Sequence, residues 1–270
     1  MEPGIMLYIN CKEASVEEQI RVLKEIGVKK TFLSASHPRL SEVISLVKEN
    51  DIICETLHGV FNEPEGYTAE SLHKPGKAGD IMLERLLNNI LNCVKYNVPI
   101  LVLHLPGESI LNVKNEYSKL RYNKLGDFAQ ENGITLAFEN TGKCVENFKY
   151  ISELIPNARF CWDNAHEKLF SCGEKVLSQL GDKLVALHIT DSNLCTDDHM
   201  IPFDGKIDFE NVASELAKTD FDGTIMLESI FSGKYYENML YKDFAMRAKS
   251  AAEEIIKMVE KNKRQYERQF

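Results

Sequence analysis

The sequence predicts an α/β chain folded as one (β/α)8 TIM barrel over residues 1–270. Three observations support this. The length is close to the roughly 250 residues such a barrel needs. Eight short apolar runs alternate with helical periodicities along the whole chain. Polar residues interrupt those runs near their C-terminal ends, where the loops of a barrel converge on one pocket.

Taken in order, the predicted strands are residues 5–10, 30–35, 53–60, 100–105, 135–140, 158–163, 184–190 and 223–229. Most are nearly continuous apolar runs, as expected of parallel strands covered on both faces. Between them, Ser15 with Glu18 forms a capping box that starts the first helix. Leu40, Val43, Ile44 and Val47 fall at helical spacing, as do Leu83, Leu86, Leu87, Ile90 and Val94. A last helix is predicted over 235–262, ending in a charged, solvated tail at 261–270. With no Pro/Ser-rich linker and no break in composition, the units form one series, which favours a closed barrel over an open doubly wound sheet.

Composition narrows the partners. There are 32 basic and 41 acidic side chains, a formal charge of −9, which speaks against a polyanionic partner. No apolar run approaches the ~20 residues of a membrane span. The first ten residues lack the basic start of an export signal, so a cytoplasmic chain is expected. Seven cysteines, Cys11, Cys54, Cys93, Cys144, Cys161, Cys172 and Cys195, are odd in number and include no Cys-x-x-Cys pair, so they read as reduced thiols.

The polar residues at the strand ends are His58, His104, Glu139, Asp163, His188 and Glu228, on the third to eighth predicted strands. Singly, each is more often structural than functional. Together they pose an electrostatic problem, because three carboxylates converging on one end of a barrel repel unless a cation holds them. Three oxygen donors with the nitrogen of His188 suit Mn2+, Zn2+, Co2+ or Mg2+.

Four segments then resemble the metal-ligand motifs of the xylose-isomerase-like barrels, in particular the sugar phosphate isomerase/epimerase family. They are Leu-Ala-Phe-Glu-Asn-Thr at 136–141, Phe-Cys-Trp-Asp-Asn-Ala-His at 160–166, Leu-His-Ile-Thr-Asp-Ser at 187–192 and Ile-Met-Leu-Glu-Ser at 225–229. The resemblance covers essentially the whole chain in strand order. It implies that Glu139, Asp163, His188 and Glu228 bind one metal and that Glu139 and Glu228 also move protons. His166 would orient a substrate oxygen. The reaction implied is proton transfer next to a carbonyl through a metal-stabilised enediolate, giving isomerisation or epimerisation of a sugar or sugar phosphate; a keto-polyol (inosose-type) dehydratase could use the same enediolate. The resemblance also allows a homo-oligomer.

His58, His104, His166, Asp197 and His199 further match the extra ligands of endonuclease IV, the abasic-site phosphodiesterase of the same superfamily, which holds three zinc ions. The other reading of these five is substrate binding or support of the first metal. Two features favour a small carbohydrate over nucleic acid. Pro202, Gly205, Ile207 and Asp208 resemble the isomerase form of this loop. The predicted rim is also acidic or mixed, with Glu63, Glu65 and Glu70 beside Lys74 and Lys77, and Asp197, Asp198 and Asp204 further on. Phosphate recognition rests on Lys and Arg, and Arg39 is the one basic rim residue singled out. Ser192, Asn193, Ser232, Gly233 and Lys234 occupy loops where barrels often hold phosphate.

Overall fold

A computed structural model describes residues 1–8, 10–62 and 65–267, with side chains to 266. Ile9 of the first predicted strand, Glu63 of the predicted rim and the tail residues 268–270 lie outside the described residues.

In chain order the elements are β1 (Glu2–Ile5), α1 (Val16–Glu25), β2 (Lys30–Ser34), α2 (Leu40–Glu49), β3 (Ile53–His58), α3 (Lys77–Tyr96) and β4 (Ile100–His104). Then come α4 (Ile110–Val113), α5 (Glu116–Glu131), β5 (Thr135–Glu139), α6 (Val145–Leu154), β6 (Arg159–Asp163), α7 (Asn164–Phe170) and α8 (Val176–Leu180). The chain finishes with β7 (Leu184–His188), α9 (Phe209–Ala217), β8 (Thr224–Leu227), α10 (Gly233–Tyr236) and α11 (Tyr241–Glu267).

All eight strands are parallel, in the order β7-β6-β5-β4-β3-β2-β1-β8. A parallel bridge between Ile189 and Leu227 closes the ring, with Ile189 N–H donating to Met226 O at 2.9 Å and Glu228 N–H to Ile189 O at 3.0 Å. This is the predicted (β/α)8 barrel.

Strand periodicity decides what faces inward, because residues i and i+2 share a face. Val102, Ala137, Cys161 and Ala186 form a small apolar layer, and Met6, Phe32 and Met226 form another. Their i+2 neighbours are His104, Glu139, Asp163 and His188, with Ser34 and Glu228 after Phe32 and Met226. The outward positions Leu103, Phe138, Phe160 and Leu187 join the large core under the helices.

Several boundaries depart from expectation. The first strand is Glu2–Ile5, not 5–10. Pro3 and Gly4 read as breakers in sequence, yet they pair with Ile225 and Met226 of β8, and a Cβ at Gly4 would collide with Thr224 and Met226. Met6 and Leu7 continue the ladder by donating to Leu227 O and Phe32 O without counting as strand. Ser15 caps α1 by accepting from Glu18 N–H at 3.2 Å, a one-sided cap in place of the predicted box. On α3 the inward position is Cys93, while Val94 is exposed. The last helix is broken into α10 and α11, because Asn238 takes φ +65° in the intervening turn. Tyr241 then starts α11 packed against Phe231 and Phe244.

Candidate metal centre

Five strands end on a predicted site residue: β3 on His58, β4 on His104, β5 on Glu139, β6 on Asp163 and β7 on His188. Glu228 follows the last residue of β8. The asparagine after a site residue locks the next strand end. Asn140 donates to Asp163 O and accepts from Asp163 N–H, both at 2.8 Å. Asn164 does the same to Thr190, at 3.0 and 2.9 Å. These two residues escaped the sequence reading, although each directly follows a predicted ligand.

Glu139 is the hub. Its Oε2 lies 3.2 Å from His58 Nε2, 3.2 Å from His188 Nδ1 and 3.6 Å from His104 Nε2, and its Oε1 lies 3.3 Å from His166 Nδ1. His188 Nδ1 is also 3.6 Å from Glu228 Oε2. Asp163 is the ladder partner of His188, and its Oδ2 is 3.8 Å from His166 Nδ1. Asp197 Oδ2 lies 3.1 Å from both His166 Nε2 and His199 Nε2. All nine predicted residues therefore gather at one end of the barrel. Within this gathering, ligand atoms of His58, Glu139 and His188, and of Glu139, Asp163 and His166, fall within 4.8 Å of one another.

Three of the imidazoles share a pattern. His58 Nδ1 meets Gly59 O at 2.9 Å, His166 Nδ1 meets Asn140 O at 3.0 Å and His199 Nδ1 meets Glu228 O at 3.0 Å. A carbonyl only accepts, so each Nδ1 carries the proton, and in a neutral ring Nε2 is a bare lone pair. Each Nε2 nevertheless faces a carboxylate oxygen at 3.1–3.2 Å. Lone pairs facing lone pairs repel unless positive charge sits among them. That charge is a proton or a metal ion.

Titration behaviour reflects the same demand. Burial pushes the Asp163 carboxyl up to about 7, and the negative charges of Glu139, Glu228 and Asp197 add to the effect. Burial also opposes charge on Glu139, but the positive charge of His188 and close contacts from His166, His188 and His58 hold it well below the usual carboxylate range. Burial disfavours charge on His166, yet the charge of Asp163 and the contacts to Asp197 and Glu139 raise it to about 12. His199 rises to about 9 against its burial, through Asp197 and Glu228. His104 is pushed down by burial and by the neighbouring imidazoles, and stays neutral.

Unpartnered atoms show how well a cation fits. Asp163 Oδ2, both ring nitrogens of His188, Asp197 Oδ1 and Glu228 Oε2 are buried without a hydrogen-bond partner among the described residues. Leaving such groups unsatisfied costs about 1–3 kcal/mol each, and these five are concentrated in one place. Phe32 stacks on His188 at 4.6 Å and fixes the ring plane. Oxygen donors with imidazole nitrogens suit a divalent cation of the Mn2+, Zn2+, Co2+ or Mg2+ group.

Above the cluster opens a cavity of about 420 Å3. Its floor includes His58, His104, Glu139, His166, Asp197, His199 and Glu228, and its walls come from the first three strand-to-helix connections and from Ile230. Tyr8, Ser34, His37 and Phe61 were missed as wall residues, the available signal being only their place at or shortly after a strand end.

Other expectations are corrected. Three of the predicted rim carboxylates, Asp198, Asp204 and Glu70, are taken up in hydrogen bonds within the loops. Asp198 accepts from Thr196, Asn193, Lys234 and Tyr235, and Asp204 from Tyr236 and Arg247, so both fasten loops. Glu70 accepts from Gly107 N–H and Thr68. Arg39 is engaged by Glu17 and Glu42 on the surface. The residues noted for phosphate are also committed: Lys234 to Asp198, Ser192 to Thr196 O, Ser232 to Lys234 N–H and Gly233 N–H to Glu13. The loop glycine has a steric cause, since Asp191 fills the place of a Cβ at Gly205 while accepting from Gly205 and Ile207 N–H. Among the described residues, no helix is long and apolar enough to cross a membrane.

The comparisons with known proteins agree with this architecture. The family model described as xylose isomerase-like TIM barrel matches residues 40–261. An uncharacterized protein of Sinorhizobium fredii, y4fM, is 27% identical over 165 residues, covering 54% of this chain and 52% of that protein. The chain thus spans about half the length of the curated relative it matches. Among solved structures, a D-tagatose 3-epimerase-like protein superposes with TM-score 0.73 at 15% identity, over 97% of this chain and 99% of that one. A D-psicose 3-epimerase determined with D-fructose gives 0.72 at 17% identity, over 96% and 99%. The 3-keto-D-glucoside 4-epimerase of E. coli gives 0.69 at 15% identity, over 93% and 99%.

Proposed function

We propose, from the premise that the chain belongs to the xylose isomerase-like TIM barrel family, that it is a divalent-metal-dependent isomerase or epimerase of a small carbohydrate. The observation that carries this reading is the set of buried donor atoms without a hydrogen-bond partner among the described residues, Asp163 Oδ2, both ring nitrogens of His188 and Glu228 Oε2, gathered beside the Glu139 carboxylate. Glu139, Asp163, His188 and Glu228 are the proposed ligands. A divalent cation bound there supplies Lewis acidity that polarises a carbonyl and offsets the negative charge growing on its oxygen.

The chain's own groups supply the proton movements. Glu139 and Glu228 both line the cavity. One takes the proton from the carbon next to the carbonyl, and the other returns a proton to the same carbon for epimerisation or to its neighbour for isomerisation. His166, fixed by Asn140 O, orients a substrate hydroxyl. The apolar walls, including Met6, Phe32 and Phe61, keep water away from the reacting carbon. The structural neighbours, a D-tagatose 3-epimerase-like protein and a D-psicose 3-epimerase, make ketoses the first substrates to test.

The test is deuterium incorporation from D2O into D-fructose, D-tagatose or D-psicose by the Mn2+-loaded chain. Incorporation at the carbon beside the carbonyl is expected. A loaded chain that exchanges none of them contradicts the reading. A second reading is favoured by one observation, the carboxylate of Asp197 held between two Nε2 atoms. If His58, His104, His166, Asp197 and His199 hold further ions, the site has the makings of an abasic-site phosphodiesterase. Three ions per chain and cleavage of an abasic duplex favour that reading; one ion and ketose exchange favour the first. Expulsion of a hydroxyl, as in a keto-polyol dehydratase, would appear as loss of water from inosose.

A further inference from the structure

Part of the cavity wall carries polar groups that the proposed chemistry leaves without a role. Ser34 lines it from the end of β2, Ser36 and His37 from the connection that follows, and Phe61 from the connection after β3. Phe61 is 52% exposed and stacks on His104 with ring centroids 4.8 Å apart, presenting an aromatic face to the cavity.

His37 has a defined orientation. Its Nδ1 accepts the backbone N–H of Arg39 at 3.0 Å, and its own N–H donates to Ser34 O at 3.4 Å. A ring whose Nδ1 accepts must carry its proton on Nε2 when neutral. Burial and the nearby Arg39 charge lower its pKa, so the neutral form prevails. Nε2–H has no partner among the described residues. Ser34 Oγ accepts from Ser36 N–H at 3.4 Å, which leaves its hydroxyl proton free to donate.

The charges around this wall are equally informative. Apart from the imidazoles and the phenol of Tyr8, the ionisable side chains lining the cavity among the described residues are Glu139, Asp197 and Glu228. Among the described residues, no Lys or Arg lines the cavity. The nearby Arg39 is committed to Glu17 and Glu42, and Lys234 to Asp198. A phosphate dianion carries about −1.5 to −2 charge at neutral pH and needs cations or several donors. Neutral donors beside an aromatic face suit a hydroxyl and the C–H face of a sugar.

We propose that His37 is a specificity-determining residue, donating from Nε2 to a substrate hydroxyl remote from the metal ligands, and that its wall selects a free ketose over the phosphate ester. This rests on the isomerase/epimerase reading above. His37 and Phe61 fix the remote end of the sugar, while Glu139 and Glu228 act at the carbonyl end.

The experiment compares deuterium exchange by the Mn2+-loaded chain on D-fructose, D-tagatose and D-psicose with exchange on their 6-phosphates, for the natural chain, His37→Leu and His37→Gln. Binding of each free ketose is followed in parallel by NMR titration. The expected result is exchange on a free ketose with kcat/KM at least about tenfold above its 6-phosphate. His37→Leu raises KM and the NMR Kd together by about 3- to 10-fold, the worth of one neutral hydrogen bond, with kcat little changed. His37→Gln, which keeps an N–H donor, restores most of the loss. Preference for a 6-phosphate overturns the inference and leaves the epimerase reading intact. An unchanged Kd in His37→Leu, or a fall in kcat alone, overturns the role of His37. Exchange on no member of any pair overturns both readings.

Discussion

Two residues separate two regions of opposite character on each of four strands: Val102 from His104, Ala137 from Glu139, Cys161 from Asp163, and Ala186 from His188. Both layers face the barrel axis. The lower one is small and apolar, and its four side chains are buried against one another in the interior. The upper one gathers charge that only a proton or a cation can balance. The same backbone period that packs the floor therefore also places the ligands, and depth along the axis separates stability from chemistry. A third environment lies outside, where Phe138 and Phe160 on the same strands pack under the helices.

The sharpest way to break this contrast is to change the ring. Glu228→Gln is expected to lower the exchange rate by about 10²- to 10⁴-fold, the usual worth of a positioned acid or base. The melting temperature of the metal-loaded protein should stay near that of the natural chain, and calorimetry beside the exchange assay checks both. Next comes the outer face. Phe160→Ala is expected to cost about 3–5 kcal/mol of stability, read by urea unfolding, with activity per folded molecule retained.

Overfilling the floor should have a smaller effect. Ala137→Leu is expected to destabilise by about 1–3 kcal/mol and to weaken Mn2+ binding, since Glu139 stands on the same face of β5. A floor variant that loses activity with full stability would erase the distinction between the layers.

A subtler effect is pH. Asp163 holds its proton up to about 7, above the ordinary 3.8, because burial disfavours its charge. The sign follows: ionising a group whose folded pKa is raised disfavours the folded state, so this contribution to stability is lost as pH rises through about 7. A cation reverses the balance by binding the ionised form and releasing the proton. Titrations between pH 6 and 8 should show Mn2+ affinity tightening by up to about tenfold per pH unit below 7, and the protection of melting temperature by Mn2+ growing with it. The smallest effect is expected at Arg39→Ala, a surface change that should leave both melting and exchange unaltered.

Much of this was legible in the sequence, for reasons that differ by region. The strands show because parallel strands covered on both sides are written as apolar runs, and the ring shows because a histidine or carboxylate ending such a run is conspicuous. The start of β1 was hidden because Pro3 and Gly4 act there as a close-approach surface for β8, not as a turn. The break before α11 was hidden because the helical periodicity continues across Asn238, whose positive φ only the fold reveals. Asp198, Asp204 and Glu70 looked like rim charge because sequence shows where a carboxylate sits in the chain and not which loop N–H or hydroxyl it faces. His37 and Phe61 carried no pattern, since wall residues belong to connections with neither period nor charge.

The central claim is that Glu139, Asp163, His188 and Glu228 share one divalent cation. Anomalous diffraction at the manganese edge from crystals grown with Mn2+ tests it directly. The expected result is a peak within about 2.3 Å of an oxygen or nitrogen of each of the four side chains. A saturated crystal with no peak there, or with manganese held only by Asp197 and His199, would contradict it.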